Sequence, residues 1–161
     1  MIVGVGGQGT LLASKLLGWV LVNQGYDVKV SEVHGMSQRG GSVVTYVRFG
    51  EKVYSPVIDK GEADVILSFE KLEAARWLEY LKPNGKIIVN TQEMEPMPVI
   101  TGNAEYPSNL IEKMKSAGAD VDAQDFLELA NKAGSSKAVN IALMGRLSKS
   151  FPEIPEQTKI L

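Results

Sequence analysis

The chain has no cysteine, and a single histidine, His34, among its 161 residues. That excludes a disulfide framework, a cysteine-ligated zinc or iron–sulfur site and a cysteine nucleophile. It also excludes a paired-histidine metal centre, so no metal site is expected on this chain. Charge of one sign is lacking too: 17 Lys and Arg stand against 19 Asp and Glu, a net charge of −2. No global basic field therefore draws nucleic acid or an anionic membrane surface. No apolar run approaches the roughly 20 residues that span a bilayer. The start lacks the basic segment of a signal peptide, and glycines interrupt it at once. These absences point to a cytoplasmic protein with no nucleic-acid or membrane partner. Any redox chemistry has to use a bound organic cofactor or a centre on another polypeptide.

The length suits one domain that can bury a core without staples. No repeat, low-complexity tract or linker divides residues 1–161. The first strand begins at the first residue and the chain stops at Thr158-Lys159-Ile160-Leu161, so further residues are expected beyond both ends.

What is present is concentrated at the start. Ile2-Val3-Gly4-Val5 is a short apolar run that leads into Gly6-Gly7-Gln8-Gly9-Thr10. Gly4, Gly6 and Gly9 form G-x-G-x-x-G, and an apolar-periodic helix follows (Leu11, Leu12, Leu16, Leu17, Val20). Strand, glycine turn and helix start in this order make an anion cradle. The glycines let the backbone approach a ligand, and the first helical amides have no intrahelical partner. A phosphate or diphosphate is the natural occupant, although such turns also form for packing alone.

Downstream, periodicity predicts a helix over Thr10–Gln24 closed by Gly25, and strands over Tyr26–Val30, Val43–Phe49, Asp64–Ser68 and Lys86–Val89. A further short strand is expected at Lys52–Val57. Helices are expected at Lys71–Leu81, Asn109–Ala117 (capped by Ser108), Ala123–Ala133 and Lys137–Phe151, the last ended by Pro152 and Pro155. Val121 falls in a short strand, and Met94–Pro98 in a loop. Apolar strands bracketed by helices predict an α/β fold: a single doubly wound, mostly parallel, Rossmann-like sheet with helices on both faces.

A second unusual segment, Glu32–Gly41, follows the second strand at the carboxyl end, where open α/β sheets bind ligands. Arg39 offers a planar charged fork suited to phosphate or carboxylate. Ser37 and Gln38 add hydrogen bonding, and Gly40 and Gly41 add backbone access. The topology places this loop beside the glycine turn. Glu32 stands where an acidic residue grips the ribose of NAD, or serves as a loop or interface carboxylate. His34 reads first as a hydrogen-bonding loop residue, and Met36 as an exposed contact for a partner. Ser68-Phe69-Glu70 and Asn90-Thr91-Gln92 end strands at the same edge, as ligand groups or simply as terminators. No catalytic constellation appears: no nucleophile–base set, no lysine after the glycines, no second domain to hold a substrate.

Three stretches together resemble one family: Gly4–Thr10, His34-Gly35-Met36-Ser37-Gln38-Arg39-Gly40-Gly41-Ser42-Val43, and Gly61-Glu62-Ala63-Asp64-Val65. The likeness extends through Asn90-Thr91-Gln92, Met97-Pro98 and Lys137-Ala138-Val139-Asn140 ahead of Gly145. This is similar to the gamma-type domain of the 2-oxoacid:ferredoxin oxidoreductases, the domain III type of the pyruvate enzymes. The H-G-M-x-Q-R-G-G form points to the small beta subunit of the indolepyruvate (arylpyruvate) branch.

The resemblance implies a subunit without an active site of its own. The family decarboxylates a 2-oxoacid on thiamine diphosphate, passes electrons through [4Fe-4S] clusters to ferredoxin and delivers the acyl group to coenzyme A. Thiamine diphosphate, its magnesium and the clusters are then expected on a large alpha subunit. This chain would help bind coenzyme A and cover the active site, through Gly6, Gly7, Gln8, Gly9, Thr10, Ser37, Gln38, Arg39, Gly40 and Gly41. A carboxylate at Glu32 would repel a nearby phosphate, which weakens its reading as a ribose ligand. Two other readings stay open: a stand-alone NAD- or FAD-binding protein, and a ligand-free interaction module using Met36, Met94 and Met97. Isolated from its partner, the chain is expected to self-associate as a homodimer.

Overall fold

The computed structural model of the chain describes residues 1–37 and 39–150. Six strands form one sheet: β1 (Ile2–Val5), β2 (Asp27–His34), β3 (Ser42–Gly50), β4 (Ala63–Ser68), β5 (Leu81–Asn90) and β6 (Asp120–Gln124). Six helices accompany them: α1 (Thr10–Asn23), α2 (Lys71–Arg76), α3 (Met97–Ile100), α4 (Leu110–Ser116), α5 (Phe126–Lys132) and α6 (Val139–Ser148). The strand order is β2-β3-β1-β4-β5-β6.

β1, β4, β5 and β6 run parallel, while β3 is antiparallel to both β1 and β2. The expected α/β sheet is therefore present, with one strand turned around. The cause is local. β2 and β3 are joined by a short turn, and a short turn can only join antiparallel neighbours. β3 then takes the place beside β1, pairing Ile2 with Thr45 and Val5 with Ser42. β2 is displaced outward by one strand spacing, roughly 4.8 Å.

Helices cover both faces. Ala13, Leu17 and Leu21 of α1 pack with Phe126 of α5 and Leu143 and Leu147 of α6 over Ile2, Leu67 and Ile88. Ala74 of α2 and Met114 of α4 cover the opposite face, over Val3, Ile66, Ile87 and Val89. Adjacent residues of β5 thus enter different cores, which explains the unbroken apolar run: Ile87, Ile88 and Val89 are all fully buried. No helix among the described residues is long and apolar enough to cross a membrane.

Element ends depart from the sequence pattern where a tertiary partner intervenes. β2 runs four residues past Val30 because β3 pairs with it as far as His34↔Val43. Residues 52–57 form no strand; Val53 donates instead to the Asp27 carboxylate at 2.9 Å. The expected helix at 71–81 stops at Arg76 and continues as a 3-10 turn, Leu78–Tyr80, because Leu81 already pairs with Ala63. Asn109, in the left-handed region (φ 57), takes the cap position of α4 assigned above to Ser108. Asp125 starts α5 by accepting from Glu128 N, since β6 extends through Gln124 against Asn90. The Met94–Pro98 loop gives way to α3 from Met97. α6 begins at Val139 after a 3-10 turn, Ser136–Ala138. Its expected stop signals, Pro152 and Pro155, lie outside the described residues.

One ion pair fastens α6 to β6: Arg146 Nε donates to the Asp122 carboxylate. Burial pushes the Asp122 acid up, but the Arg146 and Gln124 hydrogen bonds and the Arg146 and Lys86 charges outweigh it and hold it below its ordinary value. A carboxylate depressed in the folded state contributes stability above the unfolded value, about pH 4, and loses it as the pH falls through the folded value. The urea midpoint of the wild type is expected to fall across that window more steeply than that of Asp122→Asn, measured by circular dichroism from about pH 6 to about pH 2.

Candidate functional site

The glycine turn is built from the end of β1. Gln8 folds back, donating its backbone N–H to Val5 O at 3.1 Å and accepting the Val5 N–H on Oε1 at 2.8 Å. Its Nε2 donates to Phe69 O at 3.2 Å. The Gln8 side chain therefore holds the turn's shape. Gly4 has to lack a Cβ for this to happen: an added atom would lie 2.9 Å from Gln8 Oε1 and 3.1 Å from Phe69 Cβ. Gly9 sits in the left-handed region (φ +89), where an added Cβ would come within 2.3 Å of Asn140 Nδ2. Asn140 Nδ2 donates to Gly9 O at 3.4 Å, tying α6 to the turn.

α1 begins at Thr10 with no side-chain cap and no acidic residue in its first turn. Its positive end is left for something other than this helix's own side chains. Thr10 is buried. Gly7, at φ +103, is exposed with open space around it.

The second segment is the β2–β3 turn, and it meets the first. Gly6 N donates to Gly41 O at 2.8 Å, and Gly40 N donates to Gly6 O at 3.2 Å. Two backbone bonds thus join the segments predicted to share one crevice. Gly40 adopts φ +76, and a Cβ on Gly41 would sit 2.5 Å from Ser37 O. Ser37 Oγ donates to Arg39 O at 3.4 Å. Arg39 and Met36 are exposed at the tip. Gln38 lies outside the described residues.

Between the two segments is a cleft of about 410 Å³, lined by Gly6, Gly7, Gly9, Thr10, Leu11, Glu32, His34 and Val43. It unites the glycine turn with Glu32, read from the sequence as a ribose ligand or a loop or interface carboxylate, and with His34, read as a hydrogen-bonding loop residue. Ser37, Arg39, Gly40 and Gly41 stand outside its walls. His34 Nδ1 lies 3.0 Å from Gly35 O, and Thr45 Oγ1 donates to Glu32 at 3.3 Å. A larger hollow of about 690 Å³ opens at the amino ends of β1 and β4, among Met1, Leu17, Tyr26, Phe49, Ala63 and Leu147. We place the candidate site in the smaller cleft, because open α/β sheets bind ligands at the carboxyl ends.

The strand ends beside the cleft are laced together. Phe69 O accepts from both Gln8 Nε2 and, at 3.3 Å, Asn90 Nδ2. Asn90 Oδ1 in turn accepts the Phe126 N–H at 3.0 Å. Glu70, fully buried, accepts from Glu73 N at 2.9 Å, from Met94 N at 3.2 Å and from the Tyr106 hydroxyl. Burial and the Glu70 carboxylate push the Tyr106 hydroxyl well above its ordinary value. Ser68-Phe69-Glu70 and Asn90 are fasteners here. For Glu70 a signal exists, an acidic residue three positions before Glu73 at a helix start. Asn140 falls in a stretch that carried the family resemblance, without a role attached to it; for Tyr106 the sequence carries no signal. Among the described residues no cluster of His, Asp and Glu could hold a metal ion.

The two glycines of the turn make separable demands. Gly7→Ala meets only backbone strain, about 1–2 kcal/mol. Gly9→Ala adds the collision with Asn140 and is expected to cost more. Asn140→Ala is expected to recover part of the Gly9→Ala loss, measured as a double-mutant cycle of urea midpoints.

Comparison with known proteins bears on the family and the fold. The family model described as pyruvate ferredoxin/flavodoxin oxidoreductase matches residues 1–159. The indolepyruvate oxidoreductase subunit IorB of Thermococcus kodakarensis is 47% identical over 166 residues, covering 99% of this chain and 81% of that protein. The crystal structure of the pyruvate oxidoreductase subunit PORC of Thermotoga maritima superposes with a TM-score of 0.71 at 18% identity, covering 98% of this chain and 79% of that one. A 2-oxoglutarate:ferredoxin oxidoreductase from Magnetococcus marinus, solved with 2-oxoglutarate, coenzyme A and succinyl-CoA bound, superposes with a TM-score of 0.67 at 18% identity. It covers 98% of this chain but only 25% of that longer chain. At such identities the two structures speak for the fold alone, while the family model and the close relative speak for descent: the chain belongs to the pyruvate ferredoxin/flavodoxin oxidoreductase family, as an IorB-like small subunit.

Proposed function

We propose that this chain is the coenzyme A-binding small subunit of an indolepyruvate-type 2-oxoacid:ferredoxin oxidoreductase of the cytoplasm. The complete enzyme decarboxylates an arylpyruvate oxidatively, forms the acyl-CoA and reduces ferredoxin. A larger alpha subunit supplies thiamine diphosphate with magnesium and the [4Fe-4S] clusters. The lack of cysteine and of a catalytic set on this chain fits that division. The names of the relatives support the substrate class.

The observation that carries the proposal is the joining of Gly6 to Gly40 and Gly41 beside the uncapped start of α1. Backbone donors on one wall and a guanidinium at the tip suit a diphosphate. The residues fit that group: Gly7 leaves open space, and no acidic side chain sits in the first helical turn. Gly7, Gly9 and Thr10 would hold the diphosphate, Gly6 would fasten the turn to Gly40 and Gly41 beside it, Gln8 would keep the turn in shape, and Ser37, Gln38 and Arg39 would supply hydrogen bonds and charge from the hairpin. The exposed Met36, Met97 and Ile100 near the same edge are the natural contacts for the large subunit.

A stand-alone NAD-binding role draws on one observation, Glu32 in the cleft. Against it, β3 separates Glu32's strand from β1, which is not the order of the dinucleotide fold.

In the assembled oxidoreductase, Arg39→Ala is expected to raise the KM for coenzyme A about 10- to 100-fold, the loss of one charge-assisted contact. An unchanged KM removes Arg39 from the site. Calorimetry of the purified chain is expected to show heat of binding with coenzyme A and none with NAD; the reverse result rejects the coenzyme A assignment.

A further inference from the structure

Glu32 is the one carboxylate among the residues lining the cleft. The pleat of β2 puts it there. Val28, Val30, Glu32 and His34 share one face, opposite Phe49, Val47, Thr45 and Val43. Val28, Val47 and Phe49 lie against the α1 core, and α1 passes Val30 at Gly18, where an added Cβ would make ordinary contact with the Val30 side chain at 3.7 Å. Beyond Val30 the same face turns polar, alongside the start of α1.

Glu32 is half-buried and accepts from the hydroxyl of Thr45, itself fully buried. Among the described residues no lysine or arginine forms an ion pair with it. An ionised carboxylate offers about four acceptor positions, and Thr45 uses one. The cleft is therefore bipolar: N–H donors along the glycine turn, and an acceptor with spare capacity on the β2 wall.

Coenzyme A has two unlike arms on its diphosphate. One is a ribose bearing a further phosphate. The other, pantetheine, is uncharged and carries a hydroxyl and amide N–H donors. We propose that Glu32 fixes the direction in which coenzyme A lies, accepting hydrogen bonds from the pantetheine arm and turning the phosphorylated ribose away, toward Arg39. The proposal rests on the coenzyme A reading of the cleft. Glu32 is a specificity-determining residue in it: like charge excludes the phosphorylated arm from its wall, and hydrogen bonding retains the neutral one.

The test uses the assembled oxidoreductase with coenzyme A as substrate and adenosine 3′,5′-bisphosphate, which lacks pantetheine, as inhibitor. Glu32→Gln keeps size and the Thr45 contact while removing the charge. It is expected to raise the KM for coenzyme A about five- to tenfold and to leave inhibition by the bisphosphate as strong or stronger, since the repelling charge is gone. Arg39→Ala is expected to weaken both. Weaker inhibition by the bisphosphate in Glu32→Gln overturns the proposal, because Glu32 then holds the phosphorylated arm rather than turning it away. An unchanged KM with a lowered melting temperature also overturns it, and assigns Glu32 to the α1 dipole alone. If Arg39→Ala leaves both ligands unaffected, the coenzyme A reading itself fails, separately from the orientation.

Discussion

Two backbone hydrogen bonds, from Gly6 to Gly41 and from Gly40 to Gly6, decide what the rest of the molecule can do. They hold the tip of a hairpin against the turn that starts α1. Without them the hairpin would be a surface loop and the glycine turn would stand open on one side. With them, one wall of N–H donors faces another of side chains. The bonds need close backbone approach and unusual φ values, which is why glycine recurs on both segments. At Gly41 even a methyl group would strike the Ser37 carbonyl.

The turn is held from behind as well as from the side. Gln8 and Asn90 both donate to the Phe69 carbonyl, and Asn90 passes the connection on to Phe126. Adjacent strand ends thus share a short chain of hydrogen bonds through side-chain amides, and Glu70 ties the excursion after β5 to the same edge. Glu70 and Asn90 are fully buried, so a polar group left unpaired on either would cost about 1–3 kcal/mol. Such polar groups at the carboxyl edge look like ligand contacts in a sequence. In the fold they brace the glycine turn and the neighbouring strand ends.

The legible parts were those whose cause is local. The apolar run Ile87–Val89 gave its strand away because burial on both faces leaves no polar position. α1 was readable from Gly9 to Gly25, because glycine marks both ends. The Gly4–Thr10 and His34–Val43 stretches carried the family resemblance because their residues answer to backbone demands and site chemistry rather than to core volume. The failures have a common source. The reach of β2 to His34, the loss of a strand at 52–57 and the early end of α2 each depend on a partner far away in sequence. Propensity in a short window cannot register such a partner.

Sequence by itself determined the α/β class, the glycine turn ahead of α1, the company of Arg39 and its glycines, and the absence from this chain of any cysteine-held redox centre. Each follows from residue chemistry or from spacing along a single strand, turn or helix. Only the tertiary structure decided that β3 enters the sheet between β1 and β2, that Gln8 faces inward, and that Glu32 and His34 share the cleft with the glycine turn. Those outcomes depend on which strand pairs with which. That choice is made by the hairpin turn and the two opposed cores acting together, and no local stretch of sequence encodes it.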